Sequence, residues 1–398
     1  MNDKEILNAI IRVVPQWYSC EGGSYNYVLE NDMSSVVFCS HQPLTARLIS
    51  LLDYVNEKLP IWKQQIPKIP TPSSISRIGE DLALKWLELH DPDVNWNKWV
   101  AYAESLRQKT HENVKVERNV IISTDKGQHD ITSPNLQNVF DSLTAHPQVY
   151  MRVDKDMNFI DYDEILWSQV TDSTDYKFSP EFLQPLISIM KKDEYCAHLS
   201  SQGDMLIAGD KGILASCRKG LWFIYDVQSI RDSIVEIIGD YHVGCHLFEL
   251  LLDLSYRRRG ALLIFDPNKK VIDQVVNKES LICNEEMAFS DEARRLLAPR
   301  IKSIHMSEPS QTLRKKRLFL EVAGVDGALI FDTHEVLAFG AMVKFHPNVG
   351  AFFGARSAAA QSAVLWGGYA FKISVDGDIT ILFLDKHSSG RQAELRFM

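Results

Sequence analysis

The sequence predicts an α/β protein whose C-terminal part is a mixed sheet flanked by helices, preceded by a separate mixed α+β N-terminal region. Three observations carry that reading. Apolar residues recur at helical spacing in both halves. Short β-rich runs bounded by turn residues alternate with those helices after about residue 178. The texture changes near residue 175, which divides the chain into 1–175 and 176–398. The 398 residues carry 43 Lys+Arg against 52 Asp+Glu, a net charge of −9, with 45% hydrophobic and 24% charged residues. Such a chain has enough apolar residues for two or three cores, which excludes disorder and fibres. Its negative balance argues against a nucleic-acid partner and leaves room only for a local basic site.

Taken in order, Ile6, Ile10, Val13, Val14 and Trp17 share one helical face, as do Leu44, Leu48, Leu51, Leu52 and Val55, so the first stretch reads as mixed and mainly helical. Pro60, Pro67, Pro70 and Pro72 then break the chain as a linker or an ordered loop. Leu82, Trp86 and Leu89 mark a helix that Pro92 stops, and Trp96, Trp99, Ala103 and Leu106 mark the next. Strands are expected at Val120–Ser123, Gln148–Val153 and Phe159–Tyr162. No chemistry is legible in residues 1–175.

Beyond Phe178, a helix over Glu181–Lys191 precedes a β-meander of Met205–Ala208, Gly212–Ser216 and Leu221–Tyr225, turned by Gly209-Asp210-Lys211 and Lys219-Gly220. Ile230, Ile234, Ile237 and Ile238 form one helical face; Leu247, Leu250, Leu251 and Leu254 form another. Gly260 ends that second helix before the apolar strand Ala261–Phe265. A helix near Gln311–Val322, strands at Ala328–Phe331 and Val336–Phe339, a helix at Ala355–Leu365 and strands at Ala370–Ser374 and Ile379–Phe383 complete the C-terminal part.

The six cysteines (Cys20, Cys39, Cys196, Cys217, Cys245, Cys283) are dispersed, without a C-x-x-C pair, and read as reduced and mostly buried. No apolar run approaches the roughly 18 residues of a membrane span. The opening Met1-Asn2-Asp3-Lys4-Glu5 has neither the basic nor the apolar segment of a secretion signal. The expectation is a cytoplasmic protein with no membrane partner.

The chemistry concentrates in Val325-Asp326-Gly327-Ala328-Leu329-Ile330-Phe331-Asp332, then Glu335-Val336-Leu337-Ala338-Phe339-Gly340, then Gly354-Ala355-Arg356-Ser357-Ala358-Ala359-Ala360. Gly327 allows close backbone approach to a base or ribose, and Asp326 offers a carboxylate to a divalent cation or a ribose hydroxyl. Gly354, Ala355, Arg356 and Ser357 open a helix, where backbone N–H groups, the helix dipole and a guanidinium suit a phosphate. Taken alone, Asp326-Gly327 is also a turn entering a strand, and Arg356 is also a residue pairing locally at a helix start.

In order and spacing these motifs resemble the diadenylate cyclase (DAC) domain family over about residues 225–385. That family carries D-G-A on a strand, then G-T-R-H-R-A-A opening a helix, with an upstream G-A-L-I-V strand that Gly260-Ala261-Leu262-Leu263-Ile264 matches. The resemblance implies ATP or a related nucleotide held by Asp326, Gly327, Ala328, Gly354, Ala355, Arg356 and Ser357. It further implies Mg²⁺ or Mn²⁺ at Asp326, Asp326 as the catalytic residue of an active member, and a homo-oligomer formed through this domain. In active members two ATP-loaded domains face each other and the 3′-hydroxyl of each ATP attacks the α-phosphate of the other, giving cyclic di-AMP.

The chain departs from the active pattern twice. Arg356-Ser357-Ala358 stands where the family has R-H-R, and Ile373-Ser374-Val375-Asp376 stands where it has V-S-E-E. Loss of phosphate-neutralising donors costs rate more than binding. The resemblance is therefore to divergent, sensor-like members, and the function expected is a nucleotide-binding sensor or regulatory protein. The alternatives are an active diadenylate cyclase using other phosphate ligands, Arg356 with Lys344 or Arg391, and a domain that keeps the fold only to dimerise.

Other charged clusters have plainer readings. Arg257-Arg258-Arg259 complements a helix C-terminus, and Arg314-Lys315-Lys316-Arg317 is a solvated helix face. His242, Cys245 and His246 have the spacing of ligands on one helix face but lack a visible third partner. Asp161-Tyr162-Asp163-Glu164-Ile165-Leu166-Trp167 reads as a solvated helix start rather than a cation site.

Overall fold

Short strands buried along their whole length organise both halves of the chain. The computed structural model describes residues 9–11, 13–14, 25–31, 34–40, 43–65, 72–107, 109–111, 114–136, 139, 149–166, 176–282, 292–302, 304, 313–350, 354–384 and 392–397. They fall into two units, with the main boundary between Ser229 and Ile230.

The chain first forms a two-stranded sheet, β1 (Tyr25–Asn31) and β2 (Ser34–Ser40). These strands are the non-helical part of a stretch that reads as mixed and mainly helical, where no strand is expected: Tyr25, Tyr27 and Val28, then Val36, Val37 and Phe38, are the aromatic and β-branched types that favour strands. Three helices follow, α1 (Ala46–Gln65), α2 (Pro72–His90) and α3 (Trp96–Arg107). Pro60 lies inside α1 and does not end it. Its missing N–H costs one helical bond, while Leu59 and Trp62 on either side are buried and hold the helix against the core. Pro72 begins α2, where its fixed φ suits the first helical turn.

The strands of the first unit are β3 (Thr110–His111), β4 (Val114–Lys115), β5 (Arg118–Ser123), β6 (His129–Asp130), β7 (Val149–Asp154), β8 (Asn158–Glu164), β9 (Tyr195–Leu199), β10 (Met205–Gly209), β11 (Gly212–Arg218) and β12 (Leu221–Ile224). Eight of them make one mixed sheet in the order β12-β11-β10-β9-β5-β7-β8-β6, with β5 and β7 parallel. Val120, Ile122, Met151, Val153, Ala197 and Ile207 share a buried cluster with Leu51, Leu82, Trp86 and Trp99 of the helices. The Glu181–Lys191 helix is shorter than expected: a single turn of tighter helix, Glu181–Leu183, continues as α4 (Gln184–Ser188).

The boundary expected near residue 175 therefore moves to 229. The meander β9–β12 is not a prelude to the C-terminal domain, because β9 hydrogen-bonds to β5 with Ile121 opposite Cys196 and so extends the first sheet. Asp161–Glu164 likewise belong to β8, paired with β7, and not to a helix start; Trp167 lies outside the described residues.

The second unit takes up α5 (Val227–Ile238), α6 (Tyr241–Tyr256), β13 (Ala261–Phe265), α7 (Glu292–Lys302), α8 (Leu313–Ala323), β14 (Ala328–Phe331), β15 (Val336–Ala341), α9 (Ala355–Leu365), β16 (Tyr369–Ile373), β17 (Ile379–Leu384) and β18 (Gln392–Phe397). Asp240 caps α6 by accepting the Val243 N–H at 2.9 Å. The six strands run β15-β14-β13-β16-β17-β18, with β13 and β14 parallel and every other pair antiparallel. One face buries Leu262, Ile264, Ala328, Ile330, Ala370 and Leu382 with Ala360, Ala363 and Val364 of α9. The opposite face is aromatic: Phe319 of α8 meets Phe331 edge-on, and Phe248 of α6 meets Phe397 edge-on. The α/β class that the sequence predicts is the one observed, with two mixed sheets flanked by helices. Among the described residues no helix is long and apolar enough to cross a membrane.

Candidate functional site

Parallel strands end their turns at a common edge, and here that edge collects the motifs. The β13/β14 register, with Leu263 opposite Leu329, sets Gly260 and Asp326-Gly327 at the same N-terminal end of adjacent strands. Strand β16 runs the other way, with Ala261 opposite Ile373, so Ser374 and Val375 leave the sheet at that same end. Helix α9 opens there too. Its Arg356 guanidinium lies against Gly260 so closely that a Cβ on that glycine would stand 2.3 Å from Nη1, with a methyl of Val375 3.2 Å away. Gly260 is therefore a seat for Arg356, whereas the helix stop expected of it falls earlier: α6 ends at Tyr256, capped by Arg257, and Arg258 takes the left-handed turn at φ +52°.

Within this edge the individual residues differ in what holds them. Gly327 has φ +108°, and a Cβ would meet the carbonyl carbon of Gly340 at 2.5 Å, so the close approach its lack of a side chain permits is to β15. Ala328 is buried and pairs with Ala341. Asp326 is exposed and has no hydrogen-bond or ion-pair partner among the described residues. Gly354, at the N-cap of α9, has φ +109° in open space, so backbone geometry and not crowding asks for glycine there. Ala355 is the exposed first residue of α9. The Ser357 hydroxyl accepts a hydrogen bond of 3.2 Å from Nζ of Lys372, on β16.

Lys372 is the residue that no motif pointed to. It pairs with Leu262 in the sheet, faces the same side as α9, and sets an ammonium beside the serine that replaces the imidazole of the resembled motif. Nothing in a single sequence marks a lysine in the run Tyr369–Ile373 as anything but a strand residue; its place follows only from register. Lys344 does not join the group. Lys344 is exposed, and its carbonyl accepts the Trp366 indole N–H at 3.0 Å; Arg391 lies outside the described residues.

The remaining clusters are held structurally. Glu321 of α8 accepts Arg257 at 2.9 Å and Arg259 at 2.6 Å, and the Arg259 hydrogen bond holds its carboxyl below the usual range. Lys316 turns inward to Asp253 at 2.9 Å, so this lysine is not on a solvated face: the buried carboxylate of α6 draws the ammonium in. Tyr241 stacks edge-on against His242, and Cys196, Cys217 and Cys245 are buried free thiols. Among the described residues no three His, Cys, Asp or Glu side chains gather in a metal-binding group. At the far end of β13, buried Asp266 accepts the N–H groups of Lys270 and Ile272; burial still pushes its carboxyl up.

No protein-family model matches the chain, and no curated protein matches it. Among solved structures it is similar to a double mutant of DacA from Staphylococcus aureus, with 18% identity over 41% of this chain and 89% of that one and a TM-score of 0.22. It is also similar to a hypothetical membrane-spanning protein from Bacillus cereus, with 15% identity over 42% of this chain and 74% of that one and a TM-score of 0.25. At these scores the likeness is a weak one of fold and says nothing about activity.

Proposed function

We propose that the second unit binds ATP or a related nucleotide through a diadenylate-cyclase-like domain, and that the protein is a sensor or regulator whose catalytic set is degenerate. The observation that supports this reading best is the convergence at one sheet edge of Asp326-Gly327, Gly260 and the Arg356 guanidinium. Gly354, Ala355 and Ser357 would contribute backbone and hydroxyl donors to the phosphates, and Ala328 would line the base or ribose side. Asp326 is one free carboxylate, not a cage. That fits Mg²⁺ or Mn²⁺ held by one protein oxygen together with phosphate oxygens and water. The metal would supply charge neutralisation on the phosphates; Asp326 would orient it or a ribose hydroxyl.

Degeneracy rests on Ser357 and Ala358 occupying the imidazole and second guanidinium positions of the resembled motif. One observation favours the enzyme reading instead: Lys372 restores a cation beside Ser357. A homo-oligomer through this domain would be required for turnover, since each nucleotide attacks the other. Incubating the protein with labelled ATP and Mg²⁺ or Mn²⁺ separates the two. Bound ATP without cyclic dinucleotide is the expected outcome. Robust product that disappears in Asp326→Asn would establish the cyclase, and no bound nucleotide would end both readings.

A further inference from the structure

We propose that Lys372 is the second cation of a phosphoryl-binding cradle formed with Arg356 and Ser357. The inference rests on the nucleotide reading of the same site and names a ligand group that no motif of the chain predicts.

The geometry comes from two strands and a helix. Lys372 is directly opposite Leu262, and Gly260 lies two residues further along the same face of β13. Diagonal neighbours of this kind have side chains about 7–8 Å apart at most. Since Arg356 is seated on Gly260 and Lys372 bonds to Ser357, the next residue of α9, two cations share one small area of the sheet. Both are partly buried, and neither has an ion-pair partner among the described residues.

That combination is unusual on physical grounds. Partly desolvated cations are ordinarily neutralised by a neighbouring carboxylate, as Lys316 is by Asp253 in this same unit. At the α9 edge no carboxylate among the described residues neutralises them. The exposed carboxylate of Asp326, just before β14, is on the opposite side of β13 from Lys372.

The donor set indicates the chemistry of what fills the gap. Ser357 uses a lone pair to accept from Lys372, which leaves its own O–H to donate elsewhere. A planar guanidinium, an ammonium with two protons beyond the one given to Ser357, and a hydroxyl match the oxygens of one phosphoryl group. The cradle therefore takes the phosphate end of the ligand, whether the phosphate comes on a nucleotide or free.

Calorimetric titrations of ATP, pyrophosphate and adenosine into the full chain test this, with wild type, Lys372→Met, Lys372→Arg, Ser357→Ala and Lys344→Met compared. Lys372→Met is expected to weaken ATP and pyrophosphate by about tenfold or more while adenosine is unchanged, and Lys372→Arg to recover most of the loss. Ser357→Ala, which leaves the sheet untouched, is expected to weaken both phosphates severalfold, and Lys344→Met to change nothing. Unchanged ATP affinity in Lys372→Met, or in Ser357→Ala should the first variant not fold, overturns the cradle while leaving the nucleotide reading intact. Pyrophosphate binding that depends on Lys372, with no preference for ATP over it, keeps the cradle and removes the nucleotide. Absence of binding by ATP and pyrophosphate alike overturns both. Equal losses for adenosine and ATP mean general damage and also count against the cradle.

Discussion

The two units treat charge in opposite ways. In the first, two buried carboxylates are saturated from within: Glu194, 1% exposed, accepts the Ser123 hydroxyl at 2.7 Å, the Lys191 N–H at 2.8 Å and the Arg152 guanidinium. Asp154, equally buried, accepts the N–H groups of Gly127, Asp156 and Asn158. In the second unit the edge formed by β13, β14, β16 and α9 holds Arg356, Lys372 and Asp326 with no such closure among the described residues. A charge that the fold satisfies stabilises the fold, and a charge that it leaves open is available to a ligand. Substitutions in the first unit should therefore cost stability, and substitutions at the second unit's edge should cost binding.

The largest effect expected is that of Glu194→Ala. Removing the carboxylate strands the Arg152 guanidinium and the Ser123 hydroxyl in a buried setting, which should destabilise the first unit by about 3–5 kcal/mol. A denaturant melt checks this; ATP affinity of the folded variant should be unchanged. A loss of stability below about 1 kcal/mol would mean that the network is not closed as described.

Acid should act on the same unit. Burial pushes the imidazole of His198, which bonds to Asn119 at 2.8 Å, down to about 4; burial, followed by the nearby Arg47, pushes that of His90 down to about 3. The unfolded chain takes up these protons near pH 6.5 and the folded chain does not. Stability from each is thus full above that pH and falls as pH drops toward the folded value. For His198 the loss by pH 4 is about 3 kcal/mol, and His198→Gln should flatten that part of the pH–stability curve. An unaltered slope would show that His198 is not held neutral.

Much of the fold that frames this contrast is legible in the chain. Ala261–Phe265, Ala328–Phe331 and Ala355–Leu365 stand out because a continuous apolar run or a small-residue face is bounded by Gly260, Gly327 or Gly354. What is not legible is non-local. The alliance of β9 with β5 joins segments far apart in sequence, so a change of texture near 175 is mistaken for a boundary. Lys372 is missed for the same reason: its meaning comes from standing opposite Leu262 beneath α9. Motif spacing, by contrast, does point to Asp326 and Arg356, since glycines with positive φ mark the backbone beside each.

Gly327→Ala sharpens the contrast within the second unit. At φ +108°, with the Gly340 carbonyl carbon 2.5 Å from the new Cβ, it should destabilise that unit by at least about 1–3 kcal/mol. Gly354→Ala has the same adverse φ but open space, so it should cost less stability. Thermal melts of the two variants side by side decide this; equal losses would place the cost in φ alone.

Smallest in energy is Arg356→Ala, expected to weaken ATP about tenfold or more, near 1.4 kcal/mol, while adenosine and the melting temperature hardly move. Loss of thermal stability without loss of ATP would make Arg356 a packing residue on Gly260 and nothing more.

The most direct measurement is photo-crosslinking with an azido-adenine analogue of ATP, followed by peptide mapping. Label concentrated in the peptide spanning Val325–Phe331, on the base side of the site, and competed away by ATP, is the result predicted. Label confined to the first unit, or label that ATP does not compete, would contradict the account.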